Sequence, residues 1–440
     1  MPAVVGSASV RFLDGTQNIY AATATALFKG VAGLFTPIGT GYNAPFRWRF
    51  ALFGNHLIAT DFADPVQMAS GPSGVFGDLA GSPPRARIVE TANNFVFLFN
   101  TENATNQWWC SGLGADTIWA ADVATQAANG ILTETEGEIT AGKKLGATVV
   151  AYKGGSMYIG QYFGPPIIWG FQLVSAQAGT PGQEAVVSLG DRHVFPGFAD
   201  FWVFDGGTPR PLNMPSSVRE FFFEDSLDIE NAFRIIGRWD RKFDVVTWHY
   251  PSKAAQPAGL LDQEIKWHVP SNKWTLKKRP IEYVMLPEMP AQSGITYDQF
   301  GSYFATYGQD IPLSYEDILF TGSADFVQAV FLLDHRLYII QGTPGHTSFL
   351  TGDLGDESMF TYIRRLKPKF SQVPSTPPLL TEFYKTNLGD DVVQGATKPL
   401  AAQNWFNLRR RARFHRYLYE ADGDYEIIGI EPDVIPAGRR

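Results

Sequence analysis

A β-hairpin pattern recurs along most of the chain. Each copy has two short apolar segments joined by a tight turn rich in glycine, asparagine and aspartate, and an aromatic segment follows further on. The copies occupy residues 50–59, 87–98, 147–159, 185–195, 234–246 and 329–340. A repeat spaced by roughly 40 to 60 residues is typical of four-stranded propeller blades. The pattern therefore predicts an all-β protein folded as a single β-propeller.

The number of blades follows from the number of copies. Six copies are visible in the sequence. The wide gap between the last two, which includes residues 297–300, has room for a degenerate seventh copy. We expect seven blades, with six and eight as the alternatives.

Three segments of the chain have different expected roles. Residues 1–45 contain one strand, at residues 9–13, and a Gly/Ala/Thr-rich stretch that is either an extended arm or a surface loop. Residues 46–345 carry the blades. Residues 346–440 are expected to supply strands that complete the propeller with the N-terminal strand, because pairing of the chain ends removes exposed strand edges.

Composition excludes several classes of protein. With 45% hydrophobic and 18% charged residues, the chain has ample material for a core and is not disordered. The net charge of −8 argues against general affinity for the phosphate backbone of nucleic acids. Cys110 is the only cysteine, which excludes an internal disulfide and a multi-cysteine zinc site. Apolar runs fall short of the roughly 20 residues of a membrane helix, so we expect no membrane insertion.

The sequence lacks recognisable catalytic motifs, so we expect a protein that is not an enzyme and holds no metal or cofactor. Seven histidines are scattered without the close spacing of a metal motif. Those near hairpin turns, His56, His193 and His335, are interpreted as solvated imidazoles. There is no Gly-x-Ser-x-Gly elbow between a strand and a helix, and no glycine-rich phosphate loop. Paired carboxylates stay open as an alternative, because the sequence favours no pair among its 44 acidic residues.

Tryptophans concentrate in the aromatic segments of the repeat, as at residues 107–112, 166–171 and 201–206. Wide aromatic side chains suit the space between twisted sheets that pack face to face. We therefore interpret these tryptophans as packing residues. The alternative, a platform for a sugar ring, requires several tryptophans exposed on one face.

One segment near the C-terminus is strongly basic. Strand alternation would direct Arg411, Arg413 and His415 to one face, and Ala412 and Phe414 to the other. The segment either contacts DNA phosphates or an acidic neighbouring subunit, or forms an outer strand paired with nearby acidic residues. The candidate DNA-contacting or subunit-contacting residues are Arg409, Arg410, Arg411, Arg413 and Arg416.

A series of short motifs runs in order along nearly the whole chain. They lie at residues 48–55, 58–61, 109–112, 162–166, 201–206, 240–243, 246–248, 272–275, 429–430 and 436–439, with Asp116 and Trp119 after the third. In this order they resemble the tail nozzle, or packaged-DNA-stabilising, propeller proteins of short-tailed bacteriophages. Many of those proteins are longer, with extra platform or tip domains.

The resemblance implies a structural virion protein without catalytic residues. It implies a homo-oligomeric ring, generally a hexamer, in the phage tail below the portal and adaptor. Such a ring retains the packaged genome and conducts double-stranded DNA during ejection, without sequence specificity. The protein would be made in the cytoplasm of the bacterial host. An acidic chain suits this role, because a wall that passes DNA should not hold it by counterion release.

Two other functions compete with this one. A host-glycan-binding, receptor-recognising propeller is motivated by the many tryptophans. A polysaccharide-cleaving propeller enzyme ranks third, since the repeated Ser-x-Asp-x-Gly-x-x-Trp boxes of sialidase-type propellers are missing.

Overall fold

The protein is all-β and divides into two compact units, Met1–Ile340 and Gln341–Arg440. The computed structural model describes residues 1–31, 34–286, 289–290, 326–340, 345–423 and 425–438. The degenerate repeat expected around residues 297–300 lies outside these described residues.

Within the described residues, the first unit contains eight antiparallel sheets, of which six have four strands, one has three and one has two. The seven with three or four strands are numbered in chain order. Sheet 1 consists of Val4–Arg11, Gln17–Thr23, Ala26–Val31 and Leu34–Thr40. Sheet 2 consists of Arg49–Phe53, His56–Thr60, Gln67–Ser70 and Gly77–Asp78. Sheet 3 consists of Ala86–Ala92, Phe95–Thr101, Gln107–Cys110 and Ala128–Ile131. Sheet 4 consists of Ile139–Leu145, Thr148–Lys153, Met157–Gly164 and Ile168–Ser175.

The remaining sheets of this unit follow in the same order. Sheet 5 consists of Val187–Ser188, His193–Pro196, Phe201–Phe204 and Arg210–Pro211. Sheet 6 consists of Ile236–Asp240, Val245–Pro251, Leu261–His268 and Lys273–Ile281. Sheet 7 has three strands, Tyr283–Val284, Ala329–Phe331 and Leu337–Ile339, and a separate pair joins Met289–Pro290 to Phe326–Val327. Short helices occupy Gln183–Ala185, Ser216–Glu220, Phe221–Ser226 and Ala232–Arg234.

All six hairpins predicted from the repeat are confirmed as antiparallel strand pairs. The turn in sheet 3 shows why the sequence specifies them. Asn93 and Asn94 both adopt positive φ, at 48° and 62°, as a two-residue type I′ hairpin turn requires. Asparagine tolerates this conformation better than other side chains, so the turn fixes the register of the strands on either side.

Each hydrophobic core of the first unit lies between successive sheets. The second strand of sheet 3 is buried along its whole length. Its alternate residues serve two cores: Phe95, Phe97 and Phe99 pack toward sheet 4, whereas Val96 and Leu98 pack toward sheet 2. A strand with both faces buried has a continuous run of apolar residues in its sequence, as residues 95–99 do.

Sheet 7 also packs against sheet 1. One hydrophobic core contains Ile236 of sheet 6, Phe331 of sheet 7 and Val4 of sheet 1. Polar contacts accompany it, since the Ser7 hydroxyl donates to the carbonyl of Val284 at 2.8 Å and the backbone N–H of Ser9 donates to Leu286 at 3.0 Å. The first and last sheets of the unit are therefore in contact.

The N-terminal segment differs from its prediction. The Gly/Ala/Thr-rich stretch expected as an arm or loop forms the last three strands of sheet 1. Ala21, Ala22 and Leu27 in it are completely buried. The strand pattern of this stretch is weak because its side chains are small. Close packing of these small side chains, rather than burial of bulky apolar ones, holds the sheet in place.

The second unit has two sheets and its own core. Sheet 8 consists of Thr347–Leu350, Leu354–Gly355, Leu379–Lys385, Val393–Pro399 and Phe414–Ala421. Sheet 9 consists of Thr361–Gln372, Phe406–Ala412 and Glu426–Pro436. Leu366, Leu380, Phe406 and Tyr419 contribute to a core that involves both sheets. Every described strand here pairs with another strand of the same unit, which differs from the expectation that residues 346–440 supply strands to the propeller.

Candidate functional site

The basic segment does not form one continuous strand. Arg409 has a positive φ of 59°, and the pairing register shifts opposite it, between Ile363 and Arg365. This bulge interrupts the predicted alternation. The segment then leaves sheet 9 after Ala412 and enters sheet 8 at Phe414.

The predicted division of faces is therefore wrong. His415 was expected beside Arg411 and Arg413, but its side chain is 1% exposed and lies 3.5 Å from Glu382. Ala412 and Phe414 are also buried. The turn between the two sheets is the physical reason, because alternation holds only within one strand.

Most arginines of this segment contact neighbouring groups of the second unit. Arg410 Nε donates to Glu382 Oε2 at 3.1 Å, and Arg416 Nε donates to Asp353 Oδ1 at 3.0 Å. Arg411 Nη2 donates to the carbonyl of Ala437 at 3.1 Å, and Arg413 Nη1 donates to Asn387 Oδ1 at 2.9 Å. Arg409 is exposed. Contact of these arginines with DNA or another subunit stays a prediction.

A buried ionic cluster in the first unit was not predicted from the sequence. Arg49 Nε donates to Glu184 Oε1 at 2.7 Å, and Arg49 Nη2 donates to Glu184 Oε2 at 3.1 Å. Arg47 Nη1 reaches the same carboxylate at 3.5 Å. Burial alone would raise the pKa of Glu184, but the charges of Arg49 and Arg47 and the hydrogen bond from Arg49 lower it to about 2. The carboxylate is therefore ionised over the whole physiological range.

The residues of this cluster come from equivalent places in the repeat. Charged side chains stand at or just before the first strand of sheets 2 to 7, and Val4 and Val5 begin sheet 1. The charged residues are Arg47, Arg49, Arg87, Glu138, Glu184, Arg234 and Glu282. The first strands of seven sheets thus converge on one site. In four of the six copies a charged residue stands at, or immediately before, the first apolar segment: Arg49, Arg87, Glu184 and Arg234.

All of these charged residues except Glu184 line a cavity of about 500 Å³. Arg87 Nη1 donates to both oxygens of Glu138 at 3.0 Å on one side of it. On another side Glu282 faces His335 Nδ1 at 2.9 Å. An apolar part of the cavity wall is formed by Phe46, Phe233 and Tyr283. A volume of this size matches small-molecule sites in proteins.

Arg234 is the cation of the cavity that lacks a partner. No carboxylate among the described residues pairs with it, and its buried Nε has no hydrogen-bond acceptor there. Burial and the nearby charge of Arg47 lower the pKa of Arg234. Its backbone carbonyl accepts a hydrogen bond from Arg47 Nη2 at 2.7 Å, which fixes the two arginines beside each other.

The histidines near the hairpin turns differ from one another. His193 was expected to be solvated, but it is completely buried. Its Nε2 lies 2.9 Å from the carbonyl of Lys144 and its Nδ1 lies 2.8 Å from the hydroxyl of Tyr152. Burial lowers the pKa of His193 to about 4, so the ring is neutral at physiological pH. His56 and His335 are partly exposed and face Asp116 and Glu282.

The described part of the chain contains no group of three or more histidine, cysteine, aspartate or glutamate side chains placed to hold a metal ion. None of the helices among the described residues has the length and apolar character needed to cross a membrane.

Comparison with known proteins identifies no family for this chain. Neither a family model nor a curated protein sequence matches the chain. Among solved structures, the chain is similar to PorZ, a bacterial surface component of the type-IX secretion system of Porphyromonas gingivalis. The identity is 10% and the TM-score is 0.40, over 82% of this chain and 43% of that one. The chain thus spans less than half the length of PorZ, and a likeness at this level carries no argument about function.

Proposed function

We propose that the first unit is a closed seven-bladed β-propeller. Each of sheets 1 to 7 shares a hydrophobic core with the next, and sheet 7 shares one with sheet 1. Sheet 1 at the N-terminus is a blade that the repeat did not reveal. The first strands converge on the cavity, as the inner strands of blades do around a propeller axis.

We propose further that the protein is a structural component of a phage tail, forming the nozzle ring that retains the packaged genome and conducts DNA. The observation that carries this proposal is the ordered set of motifs along the chain. Its members include Trp48, Asp61 and Trp248, whose exposure is 1% or less. A resemblance that rests on residues of the sheet cores suits a protein whose role is architectural.

In this proposal, DNA passes between copies of the chain and not through one copy. The pair Arg49–Glu184 joins sheet 2 to the segment before sheet 5 at the centre of the first unit. The cavity beside it, about 500 Å³, is the size of a small-molecule site. The conduit therefore needs a ring of copies, and closed cyclic symmetry is the usual way to build one.

Two experiments test the proposal. The first is electron microscopy of purified virions, in which we expect a ring of this chain below the portal and adaptor. Absence of the chain from the particles would contradict the proposal. The second is the native mass of the purified protein and of its complex with the adaptor, in which we expect six copies. A chain that stays monomeric even with the adaptor would argue against a ring.

The glycan-binding alternative was motivated by the many tryptophans, and their positions do not support it. All eleven tryptophans lie in the described part of the chain, and each is buried or half-buried. Trp108, Trp169 and Trp248 belong to the cores between sheets. A sugar platform requires exposed rings on one face, so no specific observation favours this function.

A further inference from the structure

The cavity of the first unit has more positive than negative charge around it. Four guanidinium groups, those of Arg47, Arg49, Arg87 and Arg234, line it. Glu184 compensates two of them and Glu138 compensates a third. The remaining carboxylate, Glu282, faces the imidazole of His335 at 2.9 Å instead.

The fourth guanidinium, Arg234, is held in place without a counter-charge. Its buried Nε has no acceptor among the described residues. A buried donor without an acceptor is costly, and such a group is unusual unless a water or a ligand satisfies it. Arg234 is one of the residues that line the cavity, and the planar guanidinium of an arginine matches the paired oxygens of a carboxylate.

The walls of the cavity define the rest of the ligand. Phe46, Phe233 and Tyr283 contribute aromatic rings to its lining. The guanidinium of Arg87 already lies 4.4 Å from the centre of the Phe46 ring, and that of Arg47 lies 5.3 Å from the Tyr283 ring. Burial raises the pKa of the Tyr283 phenol, so this wall stays uncharged. A bare inorganic anion would leave these apolar surfaces uncovered.

We propose that this cavity binds a small organic carboxylate with an apolar body, with Arg234 as its counter-charge. The carboxylate supplies the acceptor that Arg234 lacks, and the apolar body covers Phe46 and Phe233. This site is independent of the role proposed for the protein in a phage tail, because it lies within one copy of the chain.

Titration calorimetry of the full-length protein tests the proposal, with sodium benzoate as the probe. We expect saturable binding at one site per chain. Benzamide, which has the same ring without the charge, should bind at least about tenfold more weakly. Inorganic phosphate, which has the charge without the ring, should also bind more weakly. Undetectable benzoate binding, or equal binding of benzamide or phosphate, would overturn the proposal.

Variants locate the site. Arg234→Gln should weaken benzoate binding about tenfold or more, because it removes a charge-assisted hydrogen bond. Arg234→Lys should recover part of the loss, since it restores the charge but not the planar fork. Arg210→Gln is the control. It removes an arginine that is 67% exposed, lies on the last strand of sheet 5 and does not line the cavity, so binding should be unchanged.

Phe233→Ala provides a second route if the Arg234 variants fail to fold. It should weaken binding of benzoate several-fold while leaving binding of phosphate unchanged. Benzoate affinity equal to that of the wild-type protein in both Arg234→Gln and Phe233→Ala would show that the probe binds elsewhere.

Discussion

Arg49 Nε donates to Glu184 Oε1 at 2.7 Å, although 135 residues separate the two in the chain. Arg49 begins sheet 2, and Glu184 lies in the short helix before sheet 5. Among the residues that the structure describes, these two sheets share no hydrophobic core. The pair therefore connects parts of the first unit that apolar packing leaves unconnected.

Removing the carboxylate of this pair should destabilise the protein strongly. Glu184→Gln leaves Arg49 and Arg47 as buried cations with no full counter-charge. We expect a loss of about 3–5 kcal/mol in the free energy of unfolding, as for other broken buried pairs. Urea denaturation monitored by tryptophan fluorescence would measure it.

A matched control is the exposed pair of Arg85 and Glu102, whose side chains are 47% and 35% exposed. Glu102→Gln should cost less than about 1 kcal/mol, because water screens such a pair. Equal losses for Glu184→Gln and Glu102→Gln would contradict the special role of the buried pair.

Stability should depend on pH through His193. Its pKa is lowered to about 4 in the folded protein, against about 6.5 in the unfolded chain. The unfolded chain therefore binds the extra proton first as the pH falls, and stability is lost between about pH 6.5 and pH 4. We expect His193 to account for about 3 kcal/mol of this loss.

The measurement compares wild-type protein with His193→Gln by urea denaturation at several pH values from 7 to 4. The variant should lose less stability over this range, because glutamine does not titrate. His346→Gln, at a histidine that is 57% exposed, serves as the control and should follow the wild-type curve. A His193→Gln curve parallel to that of the wild type would refute the assignment.

The sequence predicted the hairpins because their apolar segments and turns are local signals. Asn93 and Asn94 specify a turn by themselves, whatever the rest of the chain does. The last three strands of sheet 1 were missed because alanine and glycine carry little strand preference. The burial of this sheet depends on contacts with distant residues such as Val284.

The candidate site was invisible for a related reason. Arg49 and Glu184 are each ordinary surface residues by type, and only the folded chain brings them together. The basic segment near the C-terminus was the reverse case. Its charge was obvious from the sequence. The positive φ of Arg409 and the turn after Ala412, however, depend on pairing with strands distant in the chain, which a local sequence pattern does not show.

Packing between sheets 3 and 4 depends on a glycine. A Cβ atom at Gly142 would lie 2.4 Å from the ring of Phe99, closer than any real contact. Gly142→Ala should therefore overpack this core and cost about 1–3 kcal/mol. Gly77, where a Cβ atom would meet nothing, is the control, and Gly77→Ala should change stability by less than about 0.5 kcal/mol. Thermal unfolding of both variants would reveal the difference, and equal melting temperatures would count against this packing.

Assembly into a ring should depend on the loop between the last two strands of sheet 4. Phe163, at the end of the third strand, and Ile167, in the loop, are 61% and 63% exposed, and residues 162–166 form one of the motifs that resemble those of nozzle proteins. Phe163→Ser should shift the native mass from six copies toward one without lowering the melting temperature. Phe198→Ser, at a ring that is 54% exposed in a turn of sheet 5 outside these motifs, should leave assembly intact. Unchanged assembly of Phe163→Ser would remove this loop as a subunit contact.

Substitution of different arginines in the basic segment should have different effects on stability, because some of them hold buried carboxylates and others are exposed. Arg410 pairs with Glu382, a carboxylate that is 2% exposed and whose Oε1 has no hydrogen-bond partner among the described residues. Arg410→Gln should therefore cost about 1–3 kcal/mol in unfolding free energy, because the buried carboxylate loses its nearest cation. Arg409 is exposed, and Arg409→Gln should change stability by less than about 0.5 kcal/mol. If Arg409→Gln instead weakens ring assembly or DNA retention, then Arg409 contacts a partner while Arg410 holds the second unit together. Equal destabilisation by both variants would contradict this division.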